Sequence, residues 1–467
     1  MHTGQTASWS ELLWGRNGLR SLALAGGVAL HAVNMYVVTT ILPSVVADIG
    51  GLEYYAWNLT LFVAASILGS ALSPKVIDSW GVRTGFLVAI AIFAIGTIGC
   101  ALAPSMPWLL VARTAQGLGG GMLLGLSYAS VRLVFEERLW PLAMVLVSSM
   151  WGVATLGGPA VGGIFAQTGH WRLAFWSILP GCVVLAVLVL TQLSRSGGRA
   201  ARPSRPPLGK IALLVLAVMV VSFSSLSRDL VWNVLGILGG LAVTVIIVRM
   251  DLTASVPLLP TGSYRISGVL GSAYACICLL SIGATTEIYI PYFLQLIHGQ
   301  SPLMAGYWTA ALSAGWTTGS FISSRRTGVA AQRFILAGPV VSAASLAMLA
   351  VLMPIAGLSE GGRTAWVILL PLFGVGVGIG LCWPLLLTRV YRAAPAGQEN
   401  IGSAAITTLQ LFAMAMGAAV AGMVTNAAGF TDPGGLEGAK SAARALFVVV
   451  ACAPALAAVL SRGVRRA

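Results

Sequence analysis

Charge is what this sequence has least of. Only 9% of its 467 residues are Asp, Glu, Lys or Arg, and the acids number 13. A soluble globular chain carries roughly 25% charged residues, so there is too little polar surface to cover a water-soluble fold of this length. Metal-site spacing is missing too. The six cysteines (Cys100, Cys182, Cys276, Cys278, Cys382 and Cys452) all fall in apolar runs, and Cys276-x-Cys278 has no His or carboxylate close by. They read as small packing residues, and no metal is expected. The G-x-x-x-x-G-K-[ST] phosphate loop is absent, as is any cluster suited to a membrane hydrolase. No enzyme and no cofactor are expected, and active movement of a solute would have to draw on an ion gradient. Nor is a cleaved leader expected: the run after Arg20 extends to Leu42 with no small-residue cleavage pattern behind it.

Apolar runs, by contrast, are abundant. The chain is 57% hydrophobic, with a mean hydropathy of +0.90. Crossing the hydrocarbon takes about 20 apolar residues as a helix, and about fourteen such runs can be read. Six precede residue 194: roughly 20–42, 56–77, 84–104, 107–131, 142–166 and 171–193. Two follow the Arg-, Gly- and Pro-rich segment Ser194–Lys210, at roughly 211–227 and 230–249. Six more lie at roughly 267–296, 303–324, 333–354, 364–390, 401–428 and 441–461. Both middle runs are read as crossing, with Arg228/Asp229 as the turn between them.

The basic residues follow the gaps. Every second gap holds a cluster: Arg16/Arg20, Lys75/Arg83, Arg132/Arg138, Arg195–Lys210, Arg249/Arg265, Arg325/Arg326/Arg333, Arg389/Arg392 and Arg462/Arg465/Arg466. The other gaps hold only Arg172, Arg228, Arg363, Lys440 and Arg444, and Arg113 alone lies inside a run. Cytoplasmic loops of membrane proteins carry the Lys/Arg excess. The alternation predicts a multi-pass protein of the cell (inner) membrane with both termini cytoplasmic. The net charge of +14 then reflects orientation and anionic headgroups, and no nucleic acid is expected as a partner. Ahead of the first run, Trp9, Leu12, Leu13 and Leu19 suit either an interfacial amphipathic helix or a disordered tail.

A series of motifs in order resembles the major facilitator superfamily. Pro74-Lys75-Val76-Ile77-Asp78-Ser79-Trp80-Gly81-Val82-Arg83 resembles its GxLaDRxGRR loop, keeping Asp78, Gly81 and Arg83 while Pro74, Ser79 and Val82 depart from it. Arg113-Thr-Ala-Gln116-Gly117-Leu-Gly119 is similar to RxxQGxG. Gly157-Gly158-Pro159-Ala-Val-Gly162-Gly163 resembles the antiporter motif of span five, and His170-Trp171-Arg172 opens a stretch similar to WRWxFxxNxPxG. Later, Val256-Pro257-Leu258-Leu259-Pro260 resembles PLLPL. Pro291-Tyr292-Phe293-Leu294-Gln295 with Ser301-Pro302 resembles PLYLQ…SPLxAG, and Gln410…Gly417 fits span thirteen. The six-two-six layout is similar to that of the family's fourteen-span drug:proton antiporters.

The resemblance implies an all-α membrane protein of the major facilitator fold, with two six-helix bundles plus two additional linking spans. On this reading 1–19 is a cytoplasmic N-terminal segment and 20–193 the N-terminal bundle. Residues 194–266 are a basic linker with the two extra spans, 267–461 the C-terminal bundle and 462–467 a basic tail. The implied function is export of a hydrophobic or amphipathic, drug-like molecule in exchange for protons by alternating access, by a monomer. A transporter of a specific, possibly anionic, metabolite is the alternative. A non-transporting receptor or scaffold on the same fold is the third reading.

Named residues follow from chemistry and position. Asp78, Gly81 and Arg83 are candidates for a latch at a helix end. Gly157, Gly158, Pro159, Gly162 and Gly163 are candidates for a hinge or close packing. Arg113 is a charge in mid-span, which by default marks a functional site, and Gln116 shares its face one turn on. Glu287 is an acid inside a run and can exchange a proton. In span one, Asn34 stands where the resemblance places an aspartate, and it cannot carry a proton. His31, three residues earlier, titrates near neutrality and is the other proton-coupling candidate. Asn34, Arg113, Gln116, Trp151, Trp316, Trp383 and Gln410 are candidates to line the substrate cavity.

Overall fold

The computed structural model describes residues 8–194, 207–227, 229–324, 326–357 and 365–465. Arg195, Arg228, Arg325, Arg363 and Arg466 lie outside them. No strand occurs among the described residues, and sixteen α-helices account for most of them. α1 is Trp9–Leu13, α2 Gly15–Ile49, α3 Trp57–Ala101, α4 Met106–Val134 and α5 Trp140–Gln167. α6 (Trp171–Trp176) and α7 (Leu179–Gln192) follow, then α8 (Leu208–Ser224) and α9 (Leu230–Leu252). The remainder are α10 Val269–Ala284, α11 Ile290–Leu296, α12 Pro302–Ser323, α13 Gly328–Leu352, α14 Ala365–Ala393, α15 Glu399–Ala427 and α16 Gly435–Arg465. A backbone in hydrocarbon must bond to itself, and helices do so within one segment. Among the described residues, eleven helical segments are long and apolar enough to cross a membrane.

Packing divides the chain into two units. One holds residues 1–41 and 61–208, the other residues 42–60 and 209–467.

In the first unit, α4 is packed through glycines four residues apart. A Cβ on Gly117, Gly121 or Gly125 would strike Phe62, Ser66 or Ser73 of α3, while one on Gly119 would strike Phe93 further along the same helix. Small residues at this spacing let backbones touch where lipid gives helices no hydrophobic reason to associate. The short α1 starts on Ser8, whose Oγ accepts from the Glu11 amide at 3.3 Å. Leu12 is buried, whereas Trp9, Leu13 and Trp14 are exposed. Of the two readings of the N-terminus, the described part favours a helix: residues 9–13 and 15–19 are helical, with an extended break at Trp14.

The second unit repeats the device with two glycine stripes on one helix. Gly376 and Gly380 of α14 meet Leu312 and Trp316 of α12, and Gly374 and Gly378 meet Ser345 and Ser342 of α13. One helix is thereby wedged between two. At the edge of this unit Lys210 Nζ lies 2.6 Å from Asp251 Oδ1 and 2.8 Å from the Val256 carbonyl. The Leu258 and Leu259 amides and the Tyr264 hydroxyl donate to the same carboxylate. This knot ties the start of α8 and the end of α9 to the segment leading into α10.

Candidate functional site

In the first unit α2 and α4 bring polar side chains into an apolar interior. His31 and Asn34, one turn apart on α2, are both fully buried. The His31 ring stacks on Phe62 with centroids 5.1 Å apart, and Trp151 meets it edge-on at 5.9 Å. Gly120 makes room for it, since a Cβ there would lie 2.9 Å from His31 Nδ1. The Arg113 guanidinium sits 4.2 Å from the centre of the Phe62 ring and donates through Nη1 to Gln116 Oε1. Gln116 in turn donates through Nε2 to Thr97 Oγ1 at 2.9 Å. A buried cation is tolerable only with such partners, and an aromatic face supplies about 2 kcal/mol when water is excluded.

Asn34 differs from Arg113 in this respect. Neither amide atom of Asn34 has a hydrogen-bond partner among the described residues, and the polar contact of the His31 ring is to the Gly120 backbone. A buried polar group left unpaired costs about 1–3 kcal/mol, so such a group calls for a partner, a water or a ligand. The structure thus joins His31, Trp151, Arg113 and Gln116 through Phe62. Sequence reasoning missed Phe62 and Thr97, because an apolar or hydroxyl residue in an apolar run gives no local signal.

In the second unit Glu287 lies where a helix breaks. The ninth run is not one helix: α10 ends at Ala284, Thr285–Ile288 form a 3-10 turn, and α11 starts at Ile290. Proline in a helix clashes with the carbonyl four residues earlier. Pro291 cannot donate to the Glu287 carbonyl, which weakens the helix there, and α11 begins one residue before that proline. α15 packs against this turn, and Gly417 permits it, since a Cβ there would lie 2.9 Å from Thr285 Oγ1. Glu287 Oε1 is buried and has no hydrogen-bond partner among the described residues.

The other candidates of this unit lie apart in sequence. Trp316 and Trp383 pair edge-on across α12 and α14 with centroids 5.0 Å apart, both half-buried. Gln410 is half-buried on α15. Beyond α11, Tyr55, Tyr289, Tyr292 and Phe430 form an aromatic cluster. Beside it Asn426 Nδ2 donates to the Glu53 and Ser225 carbonyls, both at 3.1 Å. These contacts join residues hundreds apart in sequence, so no pattern announced them.

The motif glycines take distinct roles. Gly81 interrupts α3 with φ 78° and ψ 165°, a region essentially restricted to glycine. Asp78 and Arg83 flank it, both half-buried. Gly81→Ala should cost about 1–3 kcal/mol, seen as a lowered melting temperature in detergent; an unchanged melting temperature removes the backbone argument. Helix α5 continues through Pro159. On it Gly158 abuts Tyr36, and Gly162 approaches the Val37 carbonyl and Thr40 of α2, whereas Gly157 faces open space. Gly163 is buried.

The family model for the Major Facilitator Superfamily matches residues 24–418. The chain belongs to that superfamily. It is a multi-pass membrane transporter and not an enzyme. A probable multidrug-efflux transporter of Mycobacterium tuberculosis strain H37Rv is 36% identical over 462 residues, covering 97% of this chain and 96% of the relative. A multidrug efflux pump of Staphylococcus aureus is 23% identical, covering 62% of this chain and 65% of the pump. The fold is similar to that of a solved POT family transporter. The TM-score is 0.68 at 15% identity, covering 96% of both chains.

Proposed function

We propose that this transporter exports a hydrophobic or amphipathic small molecule in exchange for protons by alternating access. The relatives named as multidrug-efflux proteins support the direction and substrate class. The observation that carries proton exchange is Glu287, an acid with a buried, unpartnered oxygen at a helix break. Such a group can gain and lose a proton as its surroundings alternate between sealed and wet. It is the preferred carrier over His31, which shares Phe62 with the Arg113 cation, so that protonation would set a second positive charge near the first. Arg113 holds Gln116 and the Phe62 face, which supports a positioning role. His31, Asn34 and Trp151, with the Trp316–Trp383 pair and Gln410, are the proposed contacts for substrate.

The proposal extends to topology. α3, 45 residues long, is about 68 Å at 1.5 Å per residue, enough for two crossings bent at Gly81. Together with α8 and α12, these bring the eleven apolar segments to fourteen crossings. An even count and the arginine spacing support cytoplasmic termini in an inner membrane. The proposed organisation keeps bundles at 20–193 and 267–461, joined by 194–266, in a monomer that needs no cofactor beyond the proton gradient.

Cells expressing the protein should extrude a lipophilic dye, and a protonophore should stop the extrusion. Movement of one acid that ignores the gradient would instead indicate a metabolite carrier, and no flux a scaffold. Asn34→Asp places a carboxylate beside His31 and should raise activity toward cationic compounds. An unchanged substrate range in that variant would remove α2 from the substrate site.

A further inference from the structure

A groove on the second unit lies between α13 and α16, away from every residue assigned above. Its volume is about 430 Å³, within the roughly 300–1,000 Å³ of sites that take small ligands. Three alanines, Ala347, Ala350 and Ala451, keep it open, and Val351, Ile355 and Val448 line it. These last three are exposed. Val351 and Ala347 lie one turn apart near the end of α13, with Ile355 just beyond it, and Arg444, Val448 and Ala451 recede from the start of α16 at helical spacing. Each set shares one face.

Arg444 is the only charged residue of the lining. It is exposed and, among the described residues, has no ion-pair or hydrogen-bond partner, whereas Lys440 one turn earlier is paired with Glu437 at 2.7 Å. A guanidinium at the edge of hydrocarbon is costly unless an anion meets it, and its planar fork matches the oxygens of a phosphate. Arg444 lies nine residues into α16, about 14 Å from its start, a depth from which the side chain reaches the headgroup layer by extending along its stem.

We propose that this groove binds one anionic membrane phospholipid, its phosphate on Arg444 and one acyl chain laid over Val448, Val351, Ala347 and Ala451. Charge and shape act together: the phosphate answers the groove's one charged residue, and the alanine floor leaves an apolar channel for a chain. A soluble phosphate would use half of the site.

Delipidated protein in neutral detergent, titrated with phosphatidylglycerol and followed by native mass spectrometry, tests this. Wild type should hold one lipid molecule in preference to phosphatidylcholine. Arg444→Ala should weaken that binding by roughly tenfold or more, as expected for losing a charge-assisted hydrogen bond. Ala347→Phe fills the groove while leaving Arg444 in place, and should weaken binding equally. Unchanged melting temperatures confirm that both variants fold. The proposal is overturned if both bind phosphatidylglycerol as wild type does, if phosphatidylcholine binds as tightly, or if inorganic phosphate displaces the lipid at equal concentration.

Discussion

Replacing Glu287 with glutamine should reduce proton-driven flux to background while substrate binding stays measurable. Glutamine keeps the size and most of the shape of glutamate, so the turn at Thr285–Ile288 and its packing against α15 should survive. What it removes is the exchangeable proton. An unpartnered buried carboxyl oxygen offers no reason for structural loss, since no hydrogen bond in which it takes part is broken. The check is transport into proteoliposomes under an imposed pH gradient, paired with a binding titration on the same preparation. Wild-type dependence on pH in the variant would take Glu287 out of the mechanism.

Removing Asp251 should have the largest effect on stability. Its side chain is 0% exposed and that of Lys210 is 10% exposed, and the carboxylate accepts from Lys210, two backbone amides and Tyr264. Burial and the bond to Asp251 push the Tyr264 hydroxyl well above its ordinary pKa, so it remains a donor throughout the working range of pH. Asp251→Ala strands the Lys210 ammonium, and breaking one side of a buried pair costs roughly 3–5 kcal/mol. Thermal melting in detergent should show a large downward shift. The double variant Lys210→Met with Asp251→Leu should recover much of it, because no stranded charge remains. Equal melting of wild type and Asp251→Ala would show that the knot carries no weight.

How much of this was legible follows from the range of each interaction. Membrane residence and the all-helical fold could be read because hydrophobicity acts locally along the chain. Arg113 and Gln116 could be paired from their spacing of three. Pro291 removes one helix hydrogen bond near Glu287, but Pro159 lies inside the unbroken α5, so a proline alone does not announce the break. Asp251 carries no local signal, because its partner Lys210 lies 41 residues away. The Phe62 platform, the Asn426 anchor and the α13–α16 groove depend on which helix faces which, and a single sequence carries no such information.

The most direct test concerns exchange itself. Proteoliposomes containing the purified protein and a trapped pH dye would be given an outward substrate gradient with no initial pH difference. Exchange predicts that protons move inward as substrate leaves, and that Glu287→Gln shows no such movement. Substrate efflux with a flat pH trace in wild type would contradict the account.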